Sequence, residues 1–434
     1  MVANVNARKW LRTFLGLMLC TGGLIVEAAD NSALQAAGIR RLEGKHITLF
    51  TDLPSSPAVD ELPRAFDLAI PNWTRFFGVH QSVFSTWHVD ACVMRDKERF
   101  RQSGLLPPNL PPFLNGLQMI DQIWINEQPS DYYRRHLLLH EGTHAAVNRI
   151  YGHVGPAWYR EGIAELLGTH QFDKDVLHLS QFPADKRLVE HWGRIKIVKD
   201  EINKGNSKSI RDIVTLQARD YLSVDAYAWS WALLAFGYKH PHFATTFRQA
   251  HEDMKVSSQY VTSNFLARYE QRRPEIDVAW ELFKSHLDYG YDSSQELVTK
   301  SSLTIELDGT ANAVVDVTKG WQSSGIRVKG KSTIEFAAQG RFQITRAPEV
   351  WLCEPQGVTI KYYQGQPLGK LMVAVMDDQD EVSDQSLVNP TYIGRRGRLT
   401  VGDSGGVLYF RINERADHLR DNSGKIAVKL RYQS

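Results

Sequence analysis

Hydrophobic and polar residues follow a strand-like pattern with one helical stretch in the first third of the chain. The runs 45–51 and 86–93 alternate between apolar and polar residues, which is typical of half-buried strands. The stretch 59–77 between them has apolar residues at helical spacing, and the run 118–126 predicts a further strand after a proline-rich loop. The order of these elements predicts a small α/β lobe over residues 29–128.

The pattern changes twice after this lobe. From 129 to 295, apolar residues recur three and four positions apart, which predicts helices joined by short polar loops. From 300 to 434, short runs rich in Val, Ile, Thr, Phe and Tyr alternate with Gly, Asp, Asn and Ser turns, as in an antiparallel β-sandwich. The sequence therefore predicts a multi-domain α+β protein with an α/β lobe, a mainly helical domain and a C-terminal β-sandwich.

The first 28 residues have the layout of a secretory signal peptide. Three basic residues between positions 8 and 12 precede the apolar run 14–26, and Val26 and Ala28 supply the small residues of a cleavage site. The apolar run is shorter than the roughly 20 residues that span a bilayer, and an uncleaved anchor is the alternative. We expect a secreted or periplasmic bacterial protein with no membrane span after cleavage.

Composition and charge narrow the classes of function. The 434 residues include 51 basic and 49 acidic side chains and are 43% hydrophobic, which excludes disordered, collagen-like and coiled-coil proteins. Without residues 1–28 the chain has 48 basic and 48 acidic residues, so it lacks the basic excess of a nucleic-acid-binding protein. Beyond the signal segment, Cys92 and Cys353 fall in different predicted domains, and we expect two buried thiols rather than a disulfide.

The motif His140-Glu141-Gly142-Thr143-His144 carries the strongest chemical signal. The apolar residues around it predict a helix, and two histidines four residues apart on a helix can bind one metal ion. Glu141 lies next to the first histidine, from where its carboxylate can reach a water molecule on the metal. The alternative is a pair of core histidines that are satisfied by hydrogen bonds.

Two glutamates follow on a second predicted helix. Pro156 suits the first turn of a helix, and Glu161 and Glu165 lie four residues apart in the apolar stretch 157–167. Burial of two carboxylates is costly unless they have a partner. A divalent cation that also binds two imidazoles is such a partner, and catalytic zinc takes three protein ligands with a fourth position open.

These two motifs together resemble those of the gluzincin metallopeptidases, the clan of thermolysin and aminopeptidase N. They are most similar to peptidase-MA-like bacterial proteins, and 16 residues separate His144 from Glu161. The resemblance implies that Zn²⁺ binds His140, His144 and Glu161. It also implies that Glu141 is the general base and that Glu165 accepts a hydrogen bond from a ligating imidazole and orients it.

The resemblance extends to a hydrogen-bond donor for the oxyanion of the reaction. The segment 226–234 (AYAWSWALL) is similar to the helix that supplies a tyrosine in aminopeptidases, which gives this role to Tyr227. A tyrosine that packs in the core or in an interface is the alternative. The strand at 123–126 is similar to the edge strand along which such enzymes bind an extended peptide.

The C-terminal region contains a loop with several oxygen donors. The segment 413–424 lies between two predicted strands and groups Glu414, Asp421 and Asn422. Together with the segment 321–325 (WQSSG), it resembles the galactose-binding-like β-sandwich of bacterial calcium-dependent lectins. That resemblance implies that these three residues bind Ca²⁺ and that the ion holds a sugar, whereas a turn stabilised by side-chain hydrogen bonds is the alternative.

The sequence as a whole predicts a secreted zinc metallopeptidase that hydrolyses peptide bonds by Glu141-promoted attack of zinc-bound water. The expected partners are a peptide or protein substrate and, through the C-terminal domain, a carbohydrate. The alternative is an extracellular glycan-binding or matrix protein with a vestigial peptidase domain. A vestigial site would tolerate the loss of Glu141, which is present here. Residues 29–128 form either a structural lobe or a removable pro-segment.

Overall fold

The structure is a computed structural model that describes residues 31–173, 175–345, 349–376 and 385–433. The predicted signal segment 1–28 lies outside the described residues. The chain divides into two compact units. One contains the described residues up to Asp67 together with His88–Glu127, and the other contains Leu68–Trp87 and the chain from Gln128 onwards.

The first unit is built on a five-stranded sheet with the strand order β1-β2-β3-β5-β4. The three inner strands run parallel to one another, and the two outer strands are antiparallel to their neighbours. The strands are β1 (Arg40–Glu43), β2 (Ile47–Thr51), β3 (Val89–Met94), β4 (Gly116–Met119) and β5 (Gln122–Asn126). The helices in this part of the chain are α1 (Asn31–Ala36), α2 (Pro57–Asp60), α4 (Lys97–Gln102) and α3 (Leu62–Phe77), the last of which continues into the second unit.

The prediction of an edge strand at 123–126 is wrong. Strand β5 pairs with β3 on one side and with β4 on the other, so β4 and not β5 lies at this edge of the sheet. The run 118–126 looks like one strand in the sequence, but the chain reverses at Ile120, whose φ is 53°. An isoleucine rarely adopts this conformation. The turn consists of Ile120 and Asp121, and without a glycine or proline it is inconspicuous in the sequence.

The second unit begins with a mainly helical region, as the sequence predicts. Eight helices of this region follow one another among the described residues: α5 (Asp131–Tyr151), α6 (Ala157–Gly168), α7 (Arg194–Asn203), α8 (Ile210–Val214), α9 (Val224–Lys239), α10 (Ala244–Val256), α11 (Val261–Glu270) and α12 (Arg273–His286). An antiparallel pair of strands that the sequence reading missed, β6 (His170–Asp173) and β7 (Val176–Leu179), interrupts them. Helix α6 packs against both α5 and α9, and these three helices carry the candidate site.

The rest of the second unit is a β-sandwich. Its two main sheets have the orders β17-β16-β19-β10-β8 and β18-β11-β20-β9, and apolar residues from both sheets form one core. All pairings in these sheets are antiparallel except that of β8 with β10. The strands of the region are β8 (Ile305–Glu306), β9 (Thr310–Asp316), β10 (Gln322–Val328), β11 (Thr333–Gln339), β12 (Phe342–Thr345), β13 (Trp351–Cys353), β14 (Val358–Tyr363), β15 (Gln366–Leu368), β16 (Leu371–Met376), β17 (Thr391–Tyr392), β18 (Arg396–Thr400), β19 (Gly406–Ile412) and β20 (Lys425–Tyr432).

The fold class is confirmed as mixed α+β, with a helical part followed by a β-rich C-terminal part. Cys92 and Cys353 are free and buried, as expected. Within the described part of the chain, no helix combines the length and the apolar character needed to cross a membrane.

Candidate metal centre

Helix α5 carries the first motif in a buried setting. Its first turn is capped by Ser130, whose side chain accepts a hydrogen bond from the backbone N–H of Tyr133, and it ends at Gly152 in the left-handed conformation. His140 and His144 lie one turn apart on a face of this helix that is almost fully enclosed, with 4% and 8% of their surfaces exposed. The apolar residues around the motif therefore bury both imidazoles within the helical core.

Three ligand atoms face one another at this point. The Nε2 atoms of His140 and His144 are 3.2 Å apart, and Glu161 Oε2 lies 3.5 Å from the first and 3.2 Å from the second. A tetrahedral zinc ion with bonds of about 2.0–2.1 Å places its ligand atoms about 3.3 Å from one another. The spacing of the three atoms therefore fits a zinc ion, and the donor set of two imidazoles and one carboxylate suits it chemically.

Arg160 controls which oxygen of Glu161 faces the histidines. Its Nε and Nη2 atoms lie 2.8 Å and 2.6 Å from Glu161 Oε1, which leaves Oε2 directed at the two imidazoles. Burial alone would raise the pKa of Glu161, but His144, His140 and Arg160 hold it well below its ordinary value. Glu161 is therefore a carboxylate with one oxygen bound by arginine and one oxygen available to a cation.

A second group of potential ligands shares His140 but has a different partner. His136, His140 and Glu165 also lie within metal-binding distance of one another. Both oxygens of Glu165, however, accept hydrogen bonds from Arg194, at 2.8 Å and 3.0 Å. A guanidinium that neutralises the carboxylate in this way makes the second group a poorer cation site than the first.

Glu165 faces the outer nitrogen of a predicted metal ligand. Its Oε1 lies 3.5 Å from Nδ1 of His140, which is long for a hydrogen bond. The Nδ1 atom is buried and has no hydrogen-bond partner among the described residues, so Glu165 is the acceptor that the geometry offers it. A proton on Nδ1 leaves the lone pair of the imidazole on Nε2, toward Glu161 and His144.

Glu141 and Tyr227 complete the group of residues expected from the sequence. Glu141 is buried, and burial raises its pKa, although the charges of His140 and His144 act in the opposite direction. Tyr227 lies on α9 with its ring centroid 6.2 Å from that of His140, and its ring packs edge-on against Tyr221. Burial raises the pKa of the Tyr227 hydroxyl, which therefore stays protonated and able to donate a hydrogen bond.

The structure thus brings together all six residues that the sequence assigns to this site. Two further residues, Arg160 and Arg194, were missed. The sequence favours a surface or loop position for His136, and this prediction is wrong because His136 is buried on α5. Arg160 directly precedes the predicted ligand Glu161, so the sequence does contain a signal for its role. Arg194 lies 29 residues after its partner Glu165 and follows no helical spacing. His136 is one turn before His140, and its Nε2 lies 3.4 Å from Glu165 Oε2.

The three predicted calcium ligands also lie close together in the sandwich, where Glu414 and Asn422 are buried and Asp421 is half-buried. Asn422 Nδ2 donates hydrogen bonds to Glu414 Oε2 (2.8 Å) and to the carbonyl oxygen of Val317 (3.0 Å). Burial raises the pKa of Glu414 to about 8, and the nearby charge of Asp421 acts in the same direction. The loop between β19 and β20 contains a short 3-10 helix, Ala416–Asp421, which brings Asp421 and Asn422 back toward Glu414.

Comparisons with known proteins find distant structural likenesses among solved structures. No protein-family model and no curated protein matches this chain. Among solved structures, the chain is similar to one described as "EclA N-terminal domain; PllA-like lectin", with 16% sequence identity and a TM-score of 0.21. The match covers 29% of this chain and 98% of that chain. A likeness at this level carries no information about function.

Proposed function

We propose that the protein is a zinc-dependent, gluzincin-like metallopeptidase whose metal ligands are His140, His144 and Glu161. The observation that carries the proposal is the triangle of three buried ligand atoms with sides of 3.2–3.5 Å. Its sides match the spacing that tetrahedral zinc requires, about 3.3 Å. Two turns of α5 and one face of α6 supply these atoms, so two rigid helices support the site.

The charges around the triangle support a cation at the same place. Burial alone would lower the pKa of His140, but the contact with Glu161 and the charges of Glu165 and Glu141 raise it. The surrounding carboxylates therefore favour positive charge between the two imidazoles. A divalent cation provides this charge and accepts both nitrogen lone pairs.

The residues around the ligands have the properties that peptide hydrolysis needs. Zinc, when bound, polarises the scissile carbonyl and makes a water molecule more acidic. Glu141 accepts the proton from the attacking water and passes it to the leaving amine. Tyr227 donates a hydrogen bond to the oxygen on which negative charge develops. Arg160 and Glu165 hold Glu161 and His140 in place.

The substitution Glu141→Gln tests this proposal. It preserves the size of the side chain and removes its ability to accept a proton, so peptide hydrolysis falls at least about 10²-fold while zinc binding stays. Glu190→Gln, on an exposed glutamate whose side chain is 69% accessible, is the matched control and keeps full activity. Hydrolysis of a peptide library by the E141Q variant at the wild-type rate would overturn the proposal.

We also propose that residues 1–28 export the protein as a signal peptide, to the periplasm or the cell exterior. The support is the order of basic, apolar and small residues in this segment. Expression of the full chain in a bacterium, followed by N-terminal sequencing of the exported protein, tests this. Export should be accompanied by cleavage after Ala28, and retention of the whole chain in the cytoplasm would contradict it.

The second candidate function is calcium-dependent carbohydrate binding by the β-sandwich. One observation favours it: Glu414 is only 2% exposed, and the neighbouring acid Asp421 opposes its ionisation. A cation would allow Glu414 to ionise in this buried place, and oxygen donors are the ligands that Ca²⁺ prefers. If this protein were a glycan-binding protein with a vestigial peptidase domain, the wild-type protein would bind sugar without hydrolysing peptides.

Isothermal titration with Ca²⁺, and glycan-array binding with and without a calcium chelator, test the second candidate. Glu414→Gln should abolish calcium binding, while Glu354→Gln, on a half-buried glutamate of the same sandwich that pairs with Arg395, should not change it. Absence of calcium binding by the wild-type protein would favour the alternative, a loop held by hydrogen bonds alone.

A further inference from the structure

We propose that Arg194 is a positioning residue of the metal site, which acts on the ligand His140 through Glu165. This inference rests on the proposed function. The role of Arg194 goes beyond the proposed function because Arg194 belongs to neither sequence motif and lies on a different helix, α7.

The contact between Arg194 and Glu165 fixes the plane of the carboxylate. Arg194 Nε lies 3.0 Å from Oε2 and Nη2 lies 2.8 Å from Oε1, so two parallel hydrogen bonds join the two groups. Both side chains are buried, with 9% of the arginine and 2% of the glutamate side chain exposed. A paired, buried carboxylate of this kind cannot rotate without breaking charge-assisted hydrogen bonds.

The position of Arg194 in its own helix is unfavourable for that helix. It is the first residue of α7, directly after Gly193 in the left-handed conformation. A cation at a helix N-terminus opposes the helix dipole, so helix stability does not explain an arginine here. The contact with Glu165 does explain it, because that contact needs a fork of donors which a lysine lacks.

Glu165 transmits this constraint to the metal site. With both oxygens fixed by Arg194, Oε1 faces Nδ1 of His140 at 3.5 Å, and Oε2 faces Nε2 of His136 at 3.4 Å. The ring of His140 is thereby held with Nε2 toward Glu161 and His144. Without Arg194, Glu165 would be a buried anion with a changed orientation, and His140 would lose its fixed acceptor.

The substitution Arg194→Lys keeps the positive charge and removes the paired geometry. We expect the zinc dissociation constant of this variant, measured by competition with a chelator, to rise about 10- to 100-fold. The visible spectrum of the Co²⁺-substituted protein should change as well, because it reports the geometry of the ligands around the metal.

Two other arginine–carboxylate pairs of the chain provide matched controls. Arg411 and Glu296 form an equally buried ion pair, with 1% and 2% of their side chains exposed, between β19 and the segment after α12. Arg187 and Asp185 form a paired contact on the surface. Arg411→Lys and Arg194→Lys should both lower thermal stability, because each disturbs a buried ion pair. Arg187→Lys should lower it little. Neither control should change zinc affinity or the Co²⁺ spectrum.

A double variant guards against the case in which a single substitution at Arg194 does not fold. Arg194→Met combined with Glu165→Gln removes both buried charges, so it is compared with Glu165→Gln alone. If Arg194 acts through Glu165, the two proteins bind zinc with affinities within about twofold of each other. A further loss of more than tenfold in the double variant would overturn the proposal.

The remaining outcomes distinguish the role of Arg194 from the proposed function. Wild-type zinc affinity in the R194K variant, or an equal loss of zinc affinity in the R411K variant, would overturn the role of Arg194 while the proposed function stands. Absence of zinc binding by the wild-type protein would overturn the proposed function, and the role of Arg194 with it.

Discussion

Each of the two glutamates on α6 has its own arginine, and the two contacts differ in a way that separates their roles. Arg160 binds only Oε1 of Glu161, so Oε2 stays available to the histidines. Arg194 binds both oxygens of Glu165, so this carboxylate is left to orient an imidazole. Residues that look equivalent in the sequence, as E-x-x-x-E on one helix face, therefore have unequal capacity to bind a cation.

The substitution Tyr227→Phe tests the role of the hydroxyl group. The phenylalanine ring keeps the packing against Tyr221 and His140, so the fold and the zinc affinity should not change. The loss of one donor to the developing oxyanion should lower kcat by about 10²- to 10³-fold with little effect on KM. Steady-state kinetics and a zinc titration measure these effects. Tyr362→Phe, on an exposed tyrosine, is the control.

An unchanged kcat in the Y227F variant would contradict this role. It would favour the alternative that Tyr227 is an aromatic residue of the helical core.

The sequence predicts site residues well where helical spacing relates them. His140 with His144, and Glu161 with Glu165, lie one helical turn apart, so the sequence alone places each pair on one face. Arg194 is a counterexample. It reaches Glu165 only because α6 and α7 both pack against α9 in the folded chain, and no local pattern encodes that approach.

At the scale of elements, the close approach of α6 and α9 places Glu161 in the site. Gly162 lies at this contact, and a Cβ atom there would meet Leu234 Cδ1 at 2.8 Å and the backbone oxygen of Ser230 at 2.9 Å. The leucine side chain can shift, but the backbone oxygen belongs to α9 and cannot move without the helix. Glycine is therefore required by the distance between the two helices.

The substitution Gly162→Ala should destabilise the protein. Alanine favours a helix over glycine by about 1 kcal/mol, but overpacking against a backbone atom costs about 1–3 kcal/mol and a shift of α6. Urea unfolding should show a lower free energy of unfolding, and zinc affinity should fall because Glu161 moves with α6. Gly402→Ala, where a Cβ has no neighbour within 4 Å, is the control. A G162A variant as stable as wild type would contradict this account of the helix contact.

Long helices with strong periodicity were predictable, and a tight turn without glycine or proline was not. The predicted helices around 140, 161 and 227 are present as α5, α6 and α9. The pair β6–β7 was missed because its strands are four residues long and lie within a stretch otherwise read as helical. The β4–β5 reversal at Ile120 was missed because its positive φ falls on a branched residue.

At the scale of the whole molecule, the hydrophobic pattern changes near residue 300 from helical to strand-like. The helical region and the β-sandwich nevertheless remain in contact. Val278 and Leu282 of α12 share an apolar cluster with Trp321 and with residues of β16 and β19. The buried ion pair of Arg411 and Glu296 lies between the same two regions. Both regions accordingly belong to one compact unit. Composition shifts reveal where the fold changes, but only the folded structure reveals which side chains pack across the change.

Buried histidines make the stability of the second unit sensitive to mild acid. Burial lowers the pKa of His251 to about 3, and the charges of Lys255 and Arg248 act in the same direction. The two nitrogens of its imidazole lie within hydrogen-bond distance of the hydroxyl groups of Tyr159 and Tyr238. A second buried histidine, His240, has a pKa lowered to about 4 by burial and by the charges of His242 and Arg272.

We expect the free energy of unfolding to fall as the pH drops below about 6.5. Between that pH and the folded-state pKa, the unfolded chain binds more protons than the folded one, so each histidine contributes a slope of about 1.4 kcal/mol per pH unit. The stabilisation from the neutral, buried histidines is complete above pH 6.5 and is lost progressively down to about pH 4 for His240 and about pH 3 for His251. Urea unfolding at a series of pH values measures this slope.

The variant His251→Gln should reduce the acid sensitivity, and His418→Gln, on an exposed histidine, should not. A stability that stays constant between pH 7 and pH 5 in the wild-type protein would contradict the prediction.

The most direct test of the central claim is the zinc content of the purified protein, measured by mass spectrometry of the metal. The account predicts one zinc ion per wild-type chain, retained in Glu141→Gln and lost in His144→Ala and Glu161→Gln, because the last two remove a ligand. A wild-type protein without zinc after incubation with the metal, or equal zinc content in the ligand variants, would contradict it.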